Sequence, residues 1–378
     1  MMTPEEFRQQ FSIFPDTAYC ASCSQGALSY RVQSAIEAFL QGWSQEGAQW
    51  DRWMEAVERA RSLFARLIHA SPDDIAVVGS ASEAAYQVIS SLPDRGRGEV
   101  VSSRLEFPSI AQVWLNNASG SVHFADENGL EVRAEQYARC LSEKTGLVSV
   151  PLVSYKNGFR PPVQEIVDMA HQWDSPVVVD AYQGIGVVPV DVRALDCDFL
   201  VAGSLKYLLG TGGVAFLYVS PRWRERMRPR LTGWFGRTNP FAFNPELVDF
   251  HASARRFEAG TPAVMAATAA VSALELINEL DAEAVVRHVQ GLVNRLRDAL
   301  EARKMRTLGG PAVGSWGPML AIAVDDVMDF DRHLRSHGIV ASPRGSAVRL
   351  SFHYYNAASD IARIERALDE WVHRPPTI

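Results

Sequence analysis

Apolar residues recur at spacings of three and four through Trp53, Val57, Ala60, Leu63, Phe64 and Leu67, which predicts an amphipathic helix early in the chain. Further on, the pattern changes to short apolar runs separated by turns and helical stretches. Ile75–Val78, Leu147–Val150, Val177–Asp180, Phe199–Ala202 and Val214–Tyr218 have the length and β-branched content of buried strands. Strands alternating with helices predict an α/β fold, with a mostly parallel central sheet between helices. Past Thr261-Pro262 an alanine-rich run from Ala263 to Leu280 predicts a long helix, and a second follows with Val285, Val289, Leu292, Leu296 and Leu300 on one face. Ala347–Ser351 reads as a strand, and Ser359-Asp360 as the caps of a last helix. These patterns divide the chain into an N-terminal segment (1–18), a large domain (19–262) and a smaller α+β C-terminal domain (263–378), with 263–280 as connecting helix.

Composition narrows the class. The 378 residues are 47% hydrophobic and 21% charged, enough to bury a large core. A formal charge of −7, from 37 Lys and Arg against 44 Asp and Glu, excludes a generally basic nucleic-acid binder. A membrane span needs about 18 or more consecutive apolar residues, and no such run exists, so no membrane partner is expected. The opening Met1-Met2-Thr3-Pro4-Glu5-Glu6 is acidic and lacks the apolar core of a signal peptide. Four cysteines make no disulfide scaffold, and the expected location is a reducing cytoplasm. Cys20 and Cys23 form a lone C-x-x-C, expected as two semi-buried thiols near a site mouth. His171, His251 and His353 are scattered, so no metal is expected.

The chemistry concentrates between Val177 and Val219. One apolar strand ends in Asp180, and a second runs into Gly203-Ser204-Leu205-Lys206. Ligands of open parallel sheets bind outside the carboxyl ends of the strands, so Asp180 and Lys206 are expected side by side there. Lys206 lies in an apolar run, Leu205 to Leu209, and burial lowers a lysine pKa until the neutral amine can attack a carbonyl. A strand-end Asp, a Schiff-base Lys and the glycine turn Gly210–Gly213 together resemble the pyridoxal-phosphate (PLP) enzymes of fold type I. More narrowly they resemble the class V aminotransferase family, which includes cysteine desulfurases, kynureninases and isopenicillin-N-epimerase-like proteins.

The resemblance extends over nearly the whole chain. Gly79-Ser80-Ala81-Ser82-Glu83 resembles the family's phosphate turn, which implies that Ala81 and Ser82 hold the cofactor phosphate at a helix N-terminus. Glu106-Phe107-Pro108-Ser109 resembles the segment whose aromatic stacks on the pyridine ring, here Phe107. Asp180 is then the partner of the pyridine nitrogen, Gln183 a contact of the ring hydroxyl, and Ser204 a phosphate ligand. Gly233–Arg237 resembles a kynureninase segment whose tryptophan, here Trp234, contacts the phosphate. Arg256–Pro262 resembles the element whose threonine, here Thr261, reaches the phosphate of the neighbouring subunit, and this implies a homodimer with shared sites. Val348–Asn356 resembles the C-terminal stretch whose arginine, here Arg349, grips the substrate carboxylate. Gln25 and Asn157 are further substrate contacts in this resemblance.

Three features depart from the family's subgroups. Leu205 stands where desulfurases carry His and kynureninases Tyr, and Arg237 stands where kynureninases have His. No cysteine follows Cys197, so the thiol that accepts sulfur in a desulfurase is missing. The resemblance implies class V aminotransferase-like chemistry on an α-amino acid, through a Lys206 Schiff base and a Cα carbanion. The alternatives are a kynureninase-like or C–S/C–C β-lyase or hydrolase, an amino-acid epimerase, and a non-catalytic PLP-fold binding protein. Gly184-Ile185-Gly186 and Gly210-Thr211-Gly212 lack the full dinucleotide-binding spacing, which disfavours a nicotinamide dehydrogenase.

Overall fold

A computed structural model describes residues 2–14, 16–93, 98–127, 129–309 and 316–374. Its strands are β1 (Ala18–Tyr19), β2 (Ile75–Val78), β3 (Glu99–Ser103), β4 (Val122–Ala125), β5 (Thr145–Pro151), β6 (Val177–Asp180), β7 (Phe199–Gly203), β8 (Ala215–Val219), β9 (Met319–Ala323), β10 (Ile339–Val340), β11 (Ser342–Arg344) and β12 (Ala347–Ser351). Seven of them form the central sheet in the order β2-β8-β7-β6-β5-β3-β4. Only β8 runs against its neighbours, so the carboxyl ends of the other six share one edge with the start of β8.

Both faces of this sheet are buried, which explains the continuous apolar runs. Alternate residues feed opposite cores: Val178, Val201 and Leu217 enter one, while Val179, Leu200 and Phe216 enter the other. Helix Ala81–Ser91 closes the first face with helix Pro108–Asn117 through Val88, Ile110 and Trp114. The helix over the predicted early stretch runs Trp50–Leu67. The alanine-rich helix, Val264–Asn278, packs along it and along helix Tyr30–Glu46, since small side chains let helix axes approach.

Strands β11, β12 and β9 form a three-stranded antiparallel sheet packed against helices Ala282–Ala302 and Val327–Ser336, and helix Ala358–Val372 packs on both helices. The last helix opens at Ala358, one residue before the predicted cap. Asp360 is its third residue, and its carboxylate accepts from the Ala357 N–H at 3.0 Å while pairing with Arg8 at 2.8 Å. A partner in the N-terminal segment has recruited the acid inward. That segment is pinned to the C-terminal sheet: β1 pairs with β10, Ala21 bridges Ser351, and Phe7 is buried against Phe11, His353 and Tyr355. Burying Phe7 is worth about 3 kcal/mol. Among the described residues no helix is long and apolar enough to cross a membrane.

Candidate active site

Four elements converge at the carboxyl edge of the central sheet. Where β2 ends, Ser80 caps helix Ala81–Ser91 by accepting the Glu83 N–H at 3.1 Å, and Glu83 in return accepts the Gly79 N–H at 2.9 Å. Those two bonds leave the N–H groups of Ala81 and Ser82 without an acceptor among the described residues. A helix N-terminus with free donors attracts an anion.

Three strands further along the sheet, β6 ends in Asp180, and Asp180 registers with Val201 of β7, whose next residues lead to Lys206. Asp180 accepts the Tyr182 N–H at 2.9 Å. The Lys206 amine lies 4.3 Å from the Tyr182 ring centre and 5.3 Å from that of Phe107. Burial pushes this amine down to about 8, against the pull of the Asp180 carboxylate. Burial also raises Asp180, opposed by the Tyr182 N–H and by Lys206. Tyr182 can lie flat on the end of β7 only because residue 203 is glycine, since a Cβ there would sit 1.8 Å from the ring. Phe107, Asp180, Tyr182 and the turn Gly79–Ser82 line one cavity of about 170 Å³.

The N-terminal segment covers the lysine loop. Gly26 donates to the Leu205 carbonyl at 2.9 Å, and Gln183 donates to the Cys23 carbonyl at 3.1 Å. Gln25 is exposed beside it, with its carbonyl accepting from Tyr19. Cys20 and Cys23 are fully buried rather than semi-buried, because β1 and the turn after it pack beneath β12. Arg349 is also buried. It donates to the Tyr155 carbonyl and the Ser342 hydroxyl, both at 2.7 Å, and has no carboxylate partner among the described residues. The Tyr155 ring meets Phe107 edge-on at 5.1 Å, which links the arginine to the lysine.

Asp180, Phe107, Ala81 and Ser82 thus share one cavity, Lys206 lies against the rings of Phe107 and Tyr182, and Gln183 is turned to the N-terminal segment. The Ser204 hydroxyl is bonded to the carbonyls of Thr211 and Val214 and so braces the glycine turn. The Asn157 amide is engaged with the Leu130 carbonyl and the Phe159 N–H, which shapes the loop after β5. Trp234 sits in an aromatic cluster with Trp50, Phe235 and Phe243, away from Lys206 within this chain. Thr261 is exposed on the wall of a second cavity of about 400 Å³, which adjoins the first at Gly79 and Gly213. Tyr155 and Tyr182 escaped the sequence reading. Tyr182 was within reach of it, since it lies between Asp180 and Gln183, but nothing local marks Tyr155.

The donor set fits pyridoxal phosphate. Free N–H groups suit the phosphate, Phe107 suits a flat ring, Asp180 suits a protonated ring nitrogen, and Lys206 suits an aldehyde. Among the described residues Gln183 Oε1 and Arg349 Nε are buried polar atoms without partners, as expected where a ligand completes the hydrogen bonding. Among the described residues no three His, Cys, Asp or Glu side chains gather as a metal site.

Comparison with known proteins places these residues in a wider setting. The family model described as "Aminotransferase class-V" matches residues 32–364. The chain is 34% identical to an uncharacterized aminotransferase, YcbU, of Bacillus subtilis (strain 168), over 97% of both chains. It is 28% identical to a kynureninase of Geobacillus thermodenitrificans (strain NG80-2), covering 76% of this chain and 71% of that one. Among solved structures it resembles an apo cysteine desulfurase of Thermococcus onnurineus NA1, with TM-score 0.87, 21% identity and 98% of each chain covered. It also resembles a C-DES mutant with glycine covalently linked to the PLP cofactor, with TM-score 0.85, 20% identity, and 96% of this chain and 99% of that one covered.

Proposed function

The chain belongs to the class V aminotransferase family and is an enzyme that uses pyridoxal phosphate, and from that premise we propose that it transaminates an α-amino acid. The observation that carries the proposal is the buried Lys206 amine, held between two aromatic rings and beside Asp180 at the sheet's carboxyl edge. When bound, the cofactor supplies an aldehyde for an amine to condense with and a ring that accepts electron density from the substrate α-carbon.

The chain's own residues do the rest. Ala81 and Ser82 hold the phosphate through their N–H groups, and Phe107 sets the plane of the ring. Asp180 keeps the ring nitrogen protonated. Lys206, once its amine is free, takes the α-proton as general base, and an amine depressed to about 8 is matched to work near neutral pH. Arg349 receives the substrate carboxylate, and its orphaned Nε is available for that contact. Cys23–Gly26 and Tyr155 shield the lysine from water.

Loading the protein with PLP and adding a panel of amino acids, with no oxo-acid acceptor, tests this. Transamination converts the visible cofactor band to that of the aminated cofactor. A second reading, a kynureninase-like lyase or hydrolase, is supported by the identity to kynureninases. In that case the band persists while a cleavage product accumulates.

In the same reading the enzyme is a homodimer of chains divided into 1–18, 19–262 and 263–378. Phe241, Phe243, Leu247, Val248 and Met265 are exposed around Trp234 and Thr261, an apolar surface suited to a second copy. Light scattering of the wild type and of Phe243→Asp/Val248→Asp would read this directly, the variant being monomeric. We place the enzyme in the cytoplasm, in keeping with four cysteines that are all free thiols.

A further inference from the structure

Glu106 has no part in the scheme above, yet it is one of the most deeply buried acids in the protein. It sits in the turn between β3 and helix Pro108–Asn117, immediately before Phe107. One carboxyl oxygen accepts the Phe107 N–H at 2.9 Å, and the other accepts the Ser149 hydroxyl of β5 at 2.7 Å. Its carboxyl group is also hydrogen-bonded to that of Asp180 on β6. The remaining titratable group nearby is Tyr137, whose hydroxyl donates to the Ser149 carbonyl at 3.1 Å. Among the described residues Glu106 has no salt-bridge partner. Lys206, the cation of this site, acts on Asp180.

Two carboxyl groups in a hydrogen bond must share a proton, because two buried like charges in contact repel and neither is solvated. The surroundings decide which one keeps it. Asp180 has the Tyr182 N–H and the Lys206 amine to stabilise its charge, whereas Glu106 has a hydroxyl and one N–H. We propose that Glu106 is a positioning residue that carries the proton of this pair and donates it in a hydrogen bond to Asp180, so that one negative charge, fixed in orientation, faces the cofactor ring nitrogen. Burial and the neighbouring Asp180 both push the Glu106 carboxyl upward, in the direction this assignment needs. With Tyr182 holding Asp180 from one side and Glu106 from another, the aspartate is left with acceptor capacity for the ring N–H. The inference rests on the cofactor assignment and not on which reaction follows.

Three readouts separate it from a packing role. In the cofactor-free protein near neutral pH, infrared spectra show the carbonyl band of a buried protonated carboxylic acid, and Glu106→Gln removes it. In the PLP-loaded protein, Glu106→Gln keeps both the charge count and a donor to Asp180. It therefore leaves the cofactor Kd within about threefold, and the pH midpoint of the visible band within about 0.3 units, of the wild type. Glu106→Leu removes the donor, and the Kd weakens by about tenfold or more. A downward shift of a unit or more in the midpoint with Glu106→Gln would mean that an ionised Glu106 had been lost, and would overturn the proposal. Wild-type values in Glu106→Leu would overturn it too, leaving Glu106 as filler. If the Leu variant fails to fold, the infrared band and the isosteric Gln variant still decide. Failure of the wild type to bind PLP would instead strike the cofactor assignment, leaving the infrared result to stand on its own.

Discussion

A Cβ on Gly26 would stand 2.4 Å from the carbonyl oxygen of Lys206, while the Gly26 N–H donates to the Leu205 carbonyl at 2.9 Å. The N-terminal segment therefore lies directly on the backbone that carries the lysine. The segment after β12 reaches the same loop through His353. Its Nδ1 accepts the Tyr354 N–H, so its Nε2–H donates to the Tyr207 carbonyl at 2.9 Å. Lys206 is clamped by segments from both ends of the chain.

Gly26→Ala should break this contact. Its methyl meets backbone, which cannot swing aside as a side chain can, so a destabilisation of about 1–3 kcal/mol is expected. Denaturant midpoints check the stability. A PLP titration checks the site, where a several-fold weaker Kd is expected.

The depressed Lys206 pKa has a kinetic consequence. Only the neutral amine captures the cofactor aldehyde, and its fraction grows with pH up to the pKa of about 8. The rate of PLP capture by the cofactor-free protein should rise about tenfold per pH unit below that value and level off above it. Stopped-flow absorbance measures this. A profile still climbing toward 10.5 would mean that the amine is solvated like a free lysine.

Arg349→Lys is expected to raise KM for α-amino acids by about 10²-fold with a smaller effect on kcat, because an ammonium cannot reproduce a planar two-pronged contact. Replacing the substrate carboxylate with a carboxamide should cost the wild type heavily and the variant little. Equal discrimination in both would remove Arg349 from the carboxylate site.

His353 ties stability to pH. Burial lowers it from 6.5 to about 4, so between those values the unfolded chain takes up a proton that the native protein refuses. Stability contributed by His353 is thus complete above pH 6.5 and is lost on acidification toward 4. The loss is about 1.4 kcal/mol per pH unit, or about 3 kcal/mol in all. Urea midpoints of the wild type should fall across this window. His353→Gln should lack that part of the slope, whatever fixed cost it carries.

The pattern of apolar positions was enough to find the core of the sheet. Ile75–Val78, Val177–Asp180 and Ala347–Ser351 appear with the boundaries the spacing predicts. The strands that escaped, Glu99–Ser103 and Val122–Ala125, lie at one side of the sheet and mix polar with apolar residues. Their strand character comes from pairing with neighbours rather than from their own composition.

For the site, residue type and local context sufficed where one segment carries the information. A strand-end aspartate, a lysine in an apolar run and a capped helix start are all local signals, and the structure brings Asp180, Lys206, Ala81 and Ser82 together. What only the tertiary structure decided is which distant segments meet. Strand order sets Glu106 against Asp180, and the loop after β5 sets Tyr155 against Arg349 and Phe107. Packing of the N-terminal turn under β12 buries Cys23 beside Gln183. Hydrogen bonds and desolvation act over a few ångströms through space, and no spacing along the chain encodes that distance when the partners come from separate elements.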